Sequence, residues 1–340
     1  MANAPLPGRD GGICKGDLGL ARRSIFLQVR LDGANHVEVV NEIRSFKKNR
    51  FFACCHLPNC QKGRPFALSL TVASMTNWIR GVCDANGINI HYRRTGGYKP
   101  PLIPLHGLTG SGACWIALAG ALEDEYDVIM PDARGHGQSS APLQGYLYRD
   151  HASDVIGLIE ALGLAAPVLL GHSMGGMTAA VVASQVGTAI RGVILADPTF
   201  LSPQRQREVH ESDVIQQHRR LLSLNKGEVL AQARLRHPHR SFELVELITD
   251  ARLQTQISAF EVLTPPNPDY RELVSAISVP ALLVIGDNGV VSFETARELQ
   301  KLNQRLRYER IPDVGHGLPY DQPDRFAAVV GSFLQSLVAS

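Results

Sequence analysis

From about residue 81 onward, short unbroken apolar runs alternate with longer segments in which apolar positions recur every three to four residues. A run of four to eight apolar residues with no polar interruption suits a strand buried on both faces, whereas 3.6-residue spacing marks a helix lying against a sheet. Strands are therefore expected at 87–93, 101–105, 126–130, 168–170, 193–196, 281–285 and 306–311, and helices at 115–123, 148–162, 174–186, 293–302 and 323–337. Their alternation predicts an α/β domain with a mostly parallel central sheet covered by helices on both faces. Between Pro198 and Tyr270 the strand pattern stops, and polar, helix-forming stretches such as 204–224 and 242–263 take over. The expected division is a core of residues 75–197 and 271–340, with a helical cap of residues 198–270 inserted after the sixth core strand. No fixed-period repeat and no low-complexity tract interrupts it.

Residues 1–74 show neither periodicity and open on a Pro/Gly-rich stretch, so they are expected to stand outside the native domain as a leader. The apolar run 66–74 after Lys62 and Arg64 mimics a short secretory signal but lies far from Met1. Met75 is the only methionine after Met1 in this stretch, and the regular pattern begins just beyond it, which makes it the expected native start. Charge divides at the same place: the first 74 residues carry 11 Lys and Arg against 5 Asp and Glu, leaving 23 against 27 in the rest.

The acidic balance of the body argues against a nucleic-acid partner. With 44% hydrophobic residues, 19% charged residues and a mean hydropathy of −0.04, the composition is that of a soluble globular chain. No window of eighteen uninterrupted apolar residues exists, so no membrane span is expected. The six cysteines all lie in the first third of the chain, unlike a disulfide framework, which suggests a reducing, cytoplasmic setting. Cys54-Cys55-His56 with Cys60 lacks the paired spacing of a zinc site, and no metal is expected.

The candidate chemistry centres on Gly171-His172-Ser173-Met174-Gly175-Gly176, between the strand 168–170 and the helix 174–186. A nucleophile raised on a strand-to-helix turn needs strained backbone angles, and flanking glycines remove side chains that clash there. Ser173 is thus the candidate nucleophile. His316, in the sequence Gly315-His316-Gly317 after the final strand, is the one histidine of twelve in a Gly-flanked loop at that place, and is the candidate base.

Here the chain resembles the α/β-hydrolase superfamily, and more closely its esterase and lactonase-like members with a helical lid, over about residues 78–337. Further support comes from His106-Gly107-Leu108-Thr109-Gly110, similar to the family's oxyanion loop, and from Asp132-Ala133-Arg134-Gly135-His136-Gly137-Gln138-Ser139, which fits D-x-R-G-x-G-x-S. The strand 281–285 leading to Asp287, and Gln322-Pro323 after His316, complete the order. The resemblance implies oxyanion donors at the backbone N–H groups of Leu108 and Met174.

The third triad member departs from the common pattern. The family usually shows G-x-x-D after this strand, whereas Gly286-Asp287-Asn288-Gly289 has glycine at the fourth place. Asp287 stays open as the acid, although Asp-Asn-Gly also suits a plain turn. Asp197, at the end of strand 193–196, is placed slightly ahead because some lactonase-like and dehalogenase-like relatives carry their acid there. Trp115 is a candidate wall of the acyl site or a core aromatic. His136 reads as structural and His172 as packing behind the nucleophile. The basic turn Arg234-Leu235-Arg236-His237-Pro238-His239-Arg240 reads first as solvated lid surface, with a role toward an anionic substrate as the alternative.

The expected activity is hydrolysis of a small-molecule ester or lactone by a serine esterase or lactonase, with no cofactor. Other acyl bonds on the same triad, and a triad-retaining ligand receptor, are the alternatives. Oligomeric state has no signature in the sequence. A chain beginning at Met75 is expected to remain soluble and to keep its activity, as size-exclusion chromatography and an ester assay of the truncated protein test.

Overall fold

The computed structural model describes residues 15–20, 23–31, 37–43 and 78–338. The chain divides into two units, Met1–Thr71 and Val72–Ser340. In the first, β1 (Lys15–Leu20), β2 (Arg23–Leu31) and β3 (Val37–Ile43) form an antiparallel sheet in the order β1-β2-β3. Consecutive apolar residues such as Ile25, Phe26 and Leu27 obscure the two-residue period, so these strands escape a search for alternation. Cys14, Cys54, Cys55, His56, Cys60, the run 66–74 and Met75 lie outside the described residues.

The second unit is built on an eight-stranded sheet in the order β11-β10-β9-β8-β6-β7-β5-β4. Its strands are β4 (Ile79–Ala85), β5 (Ile88–Arg94), β6 (Pro101–Leu105), β7 (Asp127–Pro131), β8 (Val168–His172), β9 (Gly192–Ala196), β10 (Ala281–Asn288) and β11 (Leu306–Gly315). The strands β6 to β11 are mutually parallel, while β5 runs antiparallel to β7 and β4 antiparallel to β5. The edge strand β4 is absent from the sequence-based expectations. Ile79 and Val82 on it are exposed, so no apolar face announces it. Asn86 and Gly87 join it to β5 with φ of 54° and 73°, as a two-residue hairpin turn demands.

Residues along the parallel strands alternate between two separate cores. Ile103, Leu169, Val193, Leu195, Leu283 and Ile285 pack with helices α2 (Tyr148–Ala161), α3 (Met174–Val186), α8 (Tyr270–Ala276) and α9 (Phe293–Leu302). Their neighbours Leu102, Leu170, Ile194, Leu282 and Val284 pack with α1 (Ile116–Leu122) and α11 (Pro323–Val338) on the opposite face. Both faces are dry, which is why the strands read as unbroken apolar runs. In chain order β9 is the sixth strand of this sheet, and α4 (Pro203–His210), α5 (Val214–Leu222), α6 (Lys226–Arg236) and α7 (Phe242–Leu253) follow it. Among the described residues, no helix is long and apolar enough to cross a membrane.

The D-x-R-G-x-G-x-S turn after β7 is a structural hub. Asp132 accepts hydrogen bonds from Gly112 N (2.8 Å), Gln138 N (3.0 Å) and His91 Nδ1 (3.0 Å). Ser139 Oγ closes the turn on the Asp132 carbonyl at 2.6 Å. Arg134 forks onto both carboxylate oxygens of Asp154 on α2, with Nε to Oδ2 at 2.5 Å, and onto the Gly145 carbonyl. Both members of this pair are buried. Removing one partner strands the other charge, a loss of about 3–5 kcal/mol. Arg134→Met is therefore expected to lower unfolding stability by that amount at pH 7, as urea denaturation reads; a loss within experimental error of zero contradicts the assignment.

Candidate active site

Ser173 occupies the turn between β8 and α3 with φ 55° and ψ −117°. A non-glycine residue in this region costs on the order of 1–3 kcal/mol and persists only when its surroundings impose it. Here Ser173 N donates to the Ala196 carbonyl (3.1 Å), and the Ser173 carbonyl accepts from Met177 N (3.1 Å) and Thr199 N (3.2 Å). The flanking glycines are required by space. A Cβ on Gly171 falls 2.1 Å from the Gly175 carbonyl oxygen, and one on Gly175 falls 2.3 Å from that of Leu105. Any side chain at either place therefore forces β6, β8 and α3 apart.

His316 follows the end of β11, where β10 and β11 lose register between Gly286 and Asn288. Its Nε2 lies 2.9 Å from Ser173 Oγ, and its Nδ1 lies 2.6 Å from Asp197 Oδ2. The neutral ring that fits carries its proton on Nδ1, donates it to the carboxylate, and accepts from the serine hydroxyl. Asp197 is fully buried at the end of β9, while the His316 side chain is 41% exposed. Burial by itself raises the Asp197 carboxyl. The bonds from His316, Val291 N (2.9 Å) and Val290 N (2.8 Å) outweigh it and hold the group below its ordinary value.

The glycine at position 289 now has a physical explanation. A Cβ there falls 2.6 Å from Asp197 Oδ1, so the Asp197 carboxylate, reaching across from β9, fills the space of a side chain at that place. Asp287 turns elsewhere. It pairs with Arg310 and accepts from Asp313 N at 2.9 Å, and this cation holds its carboxyl low. The structure thus brings Ser173, His316 and Asp197 together and leaves Asp287 out.

The loop 106–110 is pinned by two buried imidazoles. His106 Nδ1–H donates to the Gly107 carbonyl (2.8 Å) while its Nε2 accepts from Ala133 N (2.9 Å). His136 Nδ1–H donates to the Arg134 carbonyl (2.9 Å) while its Nε2 accepts from Thr109 N (3.2 Å). Each bond pair requires a neutral ring, and burial depresses both histidines accordingly. A turn closed by Gly110 N to the Gly107 carbonyl at 2.9 Å, with Thr109 at φ 64°, leaves the Leu108 N–H uncommitted among the described residues. Met174 N–H, in the first turn of α3, lacks an intrahelical acceptor as every helix start does. A Cβ on Gly107 falls 3.1 Å from Ser173 Cβ, so the loop passes directly over the serine.

His172 also has a defined task. Its Nε2–H donates to the His316 carbonyl at 2.7 Å, and the two rings lie 4.9 Å apart. Burial, reinforced by His316, pushes its pKa down to about 3, so it remains an uncharged prop for the loop carrying His316. Trp115 is 1% exposed and stacks on Phe326 at 6.1 Å within the core. The aromatic that meets His172 is Tyr320, at 5.5 Å, with Trp115 behind it at 6.5 Å. Tyr320 was missed in the sequence because its only signal is closeness to Gly315-His316-Gly317 along the chain.

A model of the α/β-hydrolase fold family matches residues 100–323, from β6 to the start of α11, and so includes Ser173, Asp197 and His316. N-formylmaleamate deformylase of Pseudomonas putida is 29% identical over 260 residues, covering 75% of this chain and 96% of that protein. 3-Oxoadipate enol-lactonase 1 of Acinetobacter baylyi is 24% identical over 251 residues, covering 70% and 90%. Among solved structures, the enol-lactonase from Burkholderia xenovorans aligns with a TM-score of 0.63 at 25% identity, over 75% of this chain and 100% of that one.

The lowered Asp197 carboxyl fixes the sign of a pH effect. Its stabilising contribution is complete above the unfolded-state value, about 3.9, and is lost as pH falls through the lower folded value. The stability difference between wild type and Asp197→Asn, read by urea denaturation, is expected to shrink progressively below about pH 4. A difference that widens on acidification contradicts the arrangement.

Proposed function

The chain belongs to the α/β-hydrolase fold family and is a hydrolase of that superfamily, and we propose that it cleaves a carboxylic ester or lactone through an acyl-enzyme on Ser173. The observation that carries this reading is the unbroken chain of contacts from Ser173 Oγ to His316 Nε2 (2.9 Å) and from His316 Nδ1 to Asp197 (2.6 Å). His316 takes the hydroxyl proton as Ser173 attacks the carbonyl carbon. The buried, ionised Asp197 stabilises the imidazolium and fixes the ring's orientation. Negative charge developing on the carbonyl oxygen meets the N–H groups of Leu108 and Met174, at the positive end of α3. His316 then protonates the departing alkoxide, deprotonates water for attack on the acyl-enzyme, and returns the proton to Ser173. In a lactone the leaving alkoxide stays tethered to the acyl group until that second step.

Helices α4 to α7, within residues 198–270, form the cap in this reading. Helix α7 packs on the segment Gly112–Trp115 just past the oxyanion loop, and Gln256 N bonds to the Gly135 carbonyl at 2.8 Å. Such cover excludes bulk water and selects the substrate. The lactonase relatives support an ester-type bond. The deformylase relative supports a second reading on the same residues, cleavage of an acyl–nitrogen bond, in which His316 protonates nitrogen instead of oxygen.

Fluorophosphonate labelling and a panel of 4-nitrophenyl esters, lactones and N-formyl amides test the proposal. Wild type is expected to be labelled and to turn over continuously, and Ser173→Ala to lose both properties. Asp197→Asn is expected to lose kcat by a factor on the order of 10³–10⁴. Asp287→Asn, changing only the exposed contacts with Arg310 and Asp313 N, is expected to stay within about threefold of wild type. Tight ligand binding without steady-state turnover points instead to a receptor.

A further inference from the structure

The basic turn 234–240 has no part in the reaction described above. Arg234, Leu235, Arg236, Pro238 and His239 are exposed, as a solvated turn is expected to be. Arg240 departs from them. Its side chain is 9% exposed and folds back toward the core, where Nε donates to Asp321 Oδ1 at 2.7 Å and the guanidinium lies 5.5 Å from the centre of the Tyr320 ring. Its Nη2 lies 2.7 Å from the place of a Cβ on Gly317, the residue directly after His316. Among the described residues this is the sole ion pair joining residues 198–270 to the rest of the second unit.

The guanidinium is only partly used. Neither Nη1 nor Nη2 has a hydrogen-bond partner among the described residues, although a sheltered guanidinium can donate five times. The surroundings add positive charge instead of balancing it. Arg240, Arg236 and Arg252 all bear on His237, opposed by the carboxylate of Asp321. Arg252 is half-buried, with its Nε enclosed and unpartnered among the described residues. A guanidinium stays charged at any working pH, and the unmet Nη donors of Arg240, which are not sealed from solvent, are open to an anionic group. A planar carboxylate is the group that matches its fork.

We infer that Arg240 is a substrate-binding residue, and that the acyl compound cleaved at Ser173 carries a carboxylate that the free edge of Arg240 engages beside His316. This rests on the serine-hydrolase reading above. Asp321 then has two roles: it holds the guanidinium in place, and it competes with the substrate for it. A simple latch between the helical insertion and the core differs in one respect. For a latch, loss of either partner has the same consequence; for a carboxylate subsite, the two losses have opposite consequences for an anionic substrate.

The test compares 4-nitrophenyl hydrogen glutarate, which is anionic, with neutral 4-nitrophenyl butyrate, using the full chain and its Arg240→Met, Arg240→Lys and Asp321→Asn variants. The readout is the ratio of kcat/KM for the anionic ester to that for the neutral one. Arg240→Met is expected to lower the ratio about 10- to 100-fold, the discrimination of a charge-assisted hydrogen bond. Arg240→Lys is expected to lower it less, since charge survives while the fork is lost. Asp321→Asn is expected to keep or raise it. A ratio unmoved by Arg240→Met, or lowered alike by Arg240→Met and Asp321→Asn, overturns the inference while leaving the serine-hydrolase reading intact. A wild type that hydrolyses neither ester and takes no fluorophosphonate label fails at Ser173, and the Arg240 inference falls with it.

Discussion

A fully buried carboxylate is tolerable only where hydrogen-bond donors surround it, and the placement of Asp197 governs the site on that account. Its oxygens face the N–H groups of Val290 and Val291 and the ring of His316. Two of these three donors come from the loop after β10 and the third from the loop after β11, so one side chain at the end of β9 ties three neighbouring strand ends together. The register of β9 with β10 and of β10 with β11 is thereby linked to the chemistry. Gly289 belongs to the same constraint, because the carboxylate occupies the volume any larger residue needs.

The histidines divide into two physical groups. His106, His136 and His172 are buried and held neutral by desolvation; the first two spend both ring nitrogens on backbone groups of the loops around Ser173, and His172 donates its Nε2–H to the His316 carbonyl. His316 alone of these keeps substantial exposure and has a carboxylate on one nitrogen and a hydroxyl on the other. A neutral imidazole offers one donor and one acceptor in fixed directions, which suits it to rigid scaffolding. The same ring left partly in water, beside a charged carboxylate, is the one suited to carry a proton in the proposed reaction. The conformation of the loop 106–110 therefore rests on imidazoles that stay neutral.

Two adjacent parts of the helical insertion meet the rest of the second unit. Helix α7 lies on the segment Gly112–Trp115, whereas the turn before it reaches the His316 loop through Arg240 and Asp321. A charged bridge beside the His316 loop that leaves part of its guanidinium unmet is completed best by a ligand or partner that supplies the missing acceptors.

The local chemistry of the elbow, the alternation of strand and helix, and the insertion after β9 were legible in the sequence, because each depends on residues close together along the chain. The glycines around Ser173, the apolar runs of a two-sided sheet and the loss of strand pattern after Pro198 are local signals of this kind. The choice between Asp197 and Asp287, the burial of Trp115 behind Tyr320, and the inward turn of Arg240 were not legible. Asp197 and His316 are 119 residues apart, and Arg240 and Asp321 81 apart, so only folding brings them together. Strand β4 and the small sheet β1-β2-β3 escaped for a related reason, since strand pairing is a relation between segments and neither shows a clean alternation of its own. The sequence by itself determined which residues were candidates for the chemistry; tertiary structure decided which of them meet, because a side chain's partners are set by strand register and burial across distances no local pattern encodes.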